Sequence, residues 1–152
     1  MMTRPYLILP VMIEQPTWGG EYIASFKGWS HVKAFQGKKI GQSYELYGKS
    51  TLLTGISDTT DKQFVELASN PLTQPQTGQI LLEEAVSQHA DGFLGRGILE
   101  KFGTMPLLIK FTQALGNSFQ LHVPSGTAEP AWKPKPESWY YLENGVVTFG
   151  IH

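Results

Sequence analysis

The hydrophobic period of this chain changes along its length, and that change constrains the fold more than any single motif. Between residues 60 and 89 apolar side chains recur at helical spacing, with Phe64, Leu67 and Ala68 on one face of a first helix. Leu81, Leu82, Ala85 and Val86 share a face of a second. From Met105 onward the period drops to two, which describes strands with one covered face. The expectation is a mainly β chain of the α+β class, antiparallel in its second half, with a small helical insert around residues 60–95.

Local signals place the elements. Tyr6 to Ile13 reads as a strand interrupted by Pro10, and Trp18-Gly19-Gly20 as its exit turn, since adjacent glycines permit backbone angles closed to other residues. Glu21 to Phe26 suits a short helix. Gln42 to Tyr47 and Thr51 to Ile56 read as two strands that pair across residues 48–50. Thr60 or Asp61 caps a helix running through Leu67 and stopped by Asn70-Pro71; a second spans Ile80 to His89, with Gly92 close behind. Leu107 to Phe111 and Asn117 to Val123 follow as strands, then a Gly/Pro-rich stretch from Pro124 to Pro136. Ser138 to Glu143 and Val146 to Ile151 flank Asn144-Gly145, the strongest short hairpin signal.

Composition narrows the classes. With 152 residues and 41% hydrophobic content the chain can close one core, so 1–152 reads as a single domain. Its 16 Gly and 10 Pro make it turn-rich. A net charge of -1 with 16% charged residues argues against a nucleic-acid surface. There is no cysteine, which removes disulfides, thiolate metal sites and cysteine nucleophiles. The longest apolar run, Tyr6 to Ile13, is far short of the roughly 20 residues that span a bilayer. Glu14, Gln15 and Pro16-Thr17-Trp18 stand where a signal peptide needs small cleavage-site residues. The expected setting is cytoplasmic, without membrane or nucleic-acid partners.

Ser118-Phe119-Gln120-Leu121-His122-Val123 is the most informative stretch. On a strand, Ser118, Gln120 and His122 project together, forming a polar row without charge that suits the lining of a small barrel. Gln120 and His122 can ligate one ion from such a strand, although a lone strand histidine is more often structural. Glu137 opens the next expected strand, and an amide, an imidazole and a carboxylate make a hard-to-borderline set suited to zinc. Lys135 either bonds a sugar or phosphate oxygen and takes part in proton transfer, or is a solvated loop lysine.

These residues resemble a family. Ser-Phe-Gln-Leu-His followed by Lys135-Pro136-Glu137-Ser138-Trp139-Tyr140 looks like the metal-binding core of the type I phosphomannose isomerases. Residues 16–20 (PTWGG), 40–46 (IGQSYEL), 105–111 (MPLLIKF) and the helix that ends near Gly95 are similar to further family stretches in the same order. The resemblance implies a cupin, a double-stranded β-helix or jelly roll holding a divalent metal, usually zinc. It also implies interconversion of mannose 6-phosphate and fructose 6-phosphate. Gln120, His122 and Glu137 match metal ligands, and Ser118 and Lys135 match residues lining the sugar phosphate site, with Lys135 the candidate catalytic group. Trp18, Tyr44, Glu45, Lys110, Trp139 and Tyr141 also lie in matched stretches.

Three departures stand out. Val123 separates His122 from Pro124 where the family has proline at once, and 14 residues lie between His122 and Glu137 where the family generally has more. The family's fourth ligand, a histidine on a later strand, has no counterpart before His152. The chain is therefore expected to be the N-terminal half of a metal-dependent isomerase, its barrel incomplete and its activity low alone. A missing C-terminal half or a homodimer would complete it. The alternative is a non-catalytic cupin-like module that binds sugar or metal.

Overall fold

The computed structural model describes residues 6–56, 58–69, 79–114, 123–124, 126, 134 and 136–146. The chain divides into two compact units, Met1–Leu115 and Gly116–His152. Every helix and strand among the described residues belongs to the first unit.

Pro10 cuts the first strand run in two. It has no N–H to give to a ladder, and the run becomes β1 (Leu7–Leu9) and β2 (Val11–Glu14) on either side of it. The halves join different antiparallel sheets. β1 pairs with β4 (Thr51–Leu53), which also pairs with β5 (Ile80–Leu81). β2 pairs with β3 (Ile40–Leu46), which also pairs with β6 (Ile109–Thr112).

The hairpin expected across residues 48–50 does not form. Leu9 faces Thr51 and Val11 faces Tyr44, so residues 45–50, with Glu45 and Leu46 still in β3, lie between pairs that flank the single residue Pro10. β3 and β4 are laid end to end along one partner run instead of side by side. Hydrophobic burial decides this: Leu52 and Leu53 are adjacent, project to opposite faces of the first sheet, and are each only 2% exposed. Leu53 packs in a cluster with Leu9, Phe64, Val65 and Ala68, and Leu52 in another with Leu82, Ala85 and Val86. A strand covered on both faces gains about 2 kcal/mol from each leucine it buries, which a solvent-exposed hairpin would forgo.

Among the described residues five α-helices accompany the sheets: α1 (Tyr22–Phe26), α2 (Lys62–Ala68), α3 (Leu82–Gln88), α4 (Ala90–Leu94) and α5 (Arg96–Phe102). Asp61 rather than Thr60 caps α2, its carboxylate accepting from the Gln63 N–H at 2.8 Å. α3 starts later than its sequence period suggests because Ile80 and Leu81 are drawn into the ladder with β4. The helical stretch also runs on past residue 95. α4 and α5 contain no buried residue, so their apolar period is weak, and they end at Gly95 and Gly103, whose φ angles of 71° and 69° favour glycine.

The first unit is thus mixed α/β, with two small antiparallel sheets that are not closed into a barrel. Asn117 to Val123 lies almost wholly outside the described residues. Residues 136–146 carry no strand, and the partner expected for Ser138 to Glu143 lies mostly outside the described residues, so that hairpin is not seen. Among the described residues no helix is long and apolar enough to cross a membrane.

Candidate functional site

Ser118, Gln120, His122 and Lys135 lie outside the described residues. Glu137 is described, in the second unit, and is half-buried. Among the described residues, no group of three or more His, Asp or Glu side chains could hold a metal ion. Trp139 and Tyr141 are about half exposed, at 52% and 50%.

In the first unit, three of the matched stretches converge. Residues 40–46 form β3, the end of 105–111 forms most of β6 beside it, and Gly20 bridges to Ile40 at the far end. The glycines serve close approach rather than unusual backbone angles. Neither Gly19 nor Gly20 has a positive φ. A Cβ on Gly19 would meet the Lys39 carbonyl oxygen at 2.5 Å, and one on Gly20 the Gln113 side-chain amide at 2.2 Å. Trp18 lies against Gly41 in the same way, 2.7 Å from where a Cβ would stand.

Gln113 ties these parts together. Its backbone N–H donates to the Gly41 carbonyl at 2.9 Å, extending the β3–β6 edge. Its side-chain oxygen accepts from the N–H groups of Tyr22 and Ile23 at 2.9 and 3.4 Å. The first turn of α1 has no cap of its own, since Glu21 makes no side-chain bond there. A residue 91 positions away in sequence supplies it.

The two faces of the β2–β3–β6 sheet differ in chemistry. On one, Met12, Ser43 and Phe111 lie in register across the strands. Ser43 is fully buried and its hydroxyl donates to Glu45 at 2.5 Å; Glu45 in turn pairs with Lys27 at 2.7 Å. The Lys27 ammonium sits 5.2 Å from the ring centroids of both Trp29 and Phe111. Every charge there is answered, so this face is a structural lock. It also explains Glu45 without a ligand.

The opposite face mixes apolar and polar side chains. Val11, Tyr44 and Lys110 lie in one row across the strands, and Ile13, Gln42 and Thr112 in the next. All but the exposed Thr112 are half-buried. The Tyr44 hydroxyl donates to Gln42 at 3.3 Å, and the rings of Tyr44 and Tyr47 are 5.0 Å apart. Lys110 holds its ammonium 5.7 Å from the Tyr44 ring and has no ion pair among the described residues. An amide, a phenol and a cation on neighbouring strands can bond a polyol or an anion. Period two in residues 40–46 already sets Gln42 and Tyr44 on one side. Nothing local sets Lys110 beside them.

Comparison with protein-family models, with curated proteins and with solved structures finds no match.

Proposed function

We propose that this chain carries part of a metal-dependent aldose–ketose isomerase of the kind that interconverts mannose 6-phosphate and fructose 6-phosphate, built on a cupin-like jelly roll. The observation that supports this reading is the convergence of the matched stretches around residues 18–20, 40–46 and 105–111 on one sheet, held by Gly20, Gly41 and Gln113. The sheet they build also sets Gln42, Tyr44 and Lys110 together on one face, half-buried.

In this reading Gln120, His122 and Glu137 hold zinc or another divalent ion, and Ser118 and Lys135 bind the hexose 6-phosphate. A bound cation supplies positive charge against the negative charge that develops on sugar oxygen as a proton moves between adjacent carbons. Ser118 orients the substrate through its hydroxyl. Lys135 bonds a sugar or phosphate oxygen and takes part in moving the proton. Three of the family's four ligands have counterparts in these 152 residues. A cysteine-free chain with a non-thiolate site fits a cytoplasmic setting.

The test combines zinc titration with a coupled isomerase assay on the purified chain and on His122→Ala and Glu137→Ala. One zinc per chain is expected, weakened at least about tenfold in either variant, as loss of a ligand should do, with little turnover by the chain alone. Zinc binding untouched by both substitutions would sink the ligand assignment. Stoichiometric zinc with no turnover even beside a segment that supplies the fourth ligand would favour a non-catalytic sugar- or metal-binding module.

A further inference from the structure

We draw no further inference here: the strongest candidate, the groove of about 290 Å³ between the start of α3 and residues 104–108, lined in part by the exposed Leu107 and Leu108, carries nothing because nothing in the structure shows what covers it.

Discussion

Gly20→Ala tests whether Gln113 caps α1 across the sheet edge. The new methyl would stand 2.2 Å from the Gln113 amide nitrogen, well inside contact distance. That nitrogen is the far end of a flexible side chain, so Gln113 can swing away, and what is lost is chiefly its two bonds to Tyr22 and Ile23. Losing a helix cap costs about 1 kcal/mol. Gln113→Ala removes the same bonds and should also cost about 1 kcal/mol. The double variant has neither the clash nor the cap, so its total should stay near about 1 kcal/mol instead of doubling, a coupling of about 1 kcal/mol between the sites. Urea unfolding followed by circular dichroism reads this directly. With a slope of about 1.5 kcal/mol per molar, each variant shifts the midpoint down by about 0.7 M. Strictly additive losses in the double variant would refute the shared cap.

Gly19→Ala has no such escape, because the new methyl meets the backbone carbonyls of Lys39 and Gln15; a loss of about 2 kcal/mol is expected, and unchanged unfolding would contradict the packing. Lys27→Met leaves Glu45 without its cation at a site where the two side chains are 12% and 25% exposed, and should cost about 2 kcal/mol. Much of that should return in Lys27→Met combined with Glu45→Gln, and a double variant less stable than the single one would count against the lock. Leu52→Ala opens a hole in the middle strand of the first sheet, with an expected loss of about 3 kcal/mol in the same unfolding assay. Asp58 titrates below its ordinary value of 3.8, held down first by the Thr60 hydroxyl and then by the Thr60 N–H. Because the folded value is the lower one, its contribution to stability is present above the unfolded value and lost as pH falls through the folded one. Thr60→Val should move the Asp58 carboxyl titration upward by carbon NMR, and an unmoved titration would show that the hydroxyl is not the main cause.

The sequence alone determined what depends on neighbours along the chain. Pro10 breaks a strand because it lacks an N–H, and the face shared by Leu82, Ala85 and Val86 follows from helical spacing, whereas local sequence narrows the cap of α2 only to Thr60 or Asp61. Of the site, the period-two pattern in residues 40–46 already marks Gln42 and Tyr44 as companions. Tertiary structure decided which strands meet and what the glycines are for. β3 pairs with β2 and β6 instead of β4, and Lys110 therefore joins Tyr44 rather than projecting from an isolated strand. Gly20 is required by an amide that arrives from the other end of the unit, not by its own backbone angles. Ladders and close approaches are contracts between distant residues. In the first sheet the deciding gain is the burial of Leu52 and Leu53 on opposite faces of β4, and no local pattern carries that information.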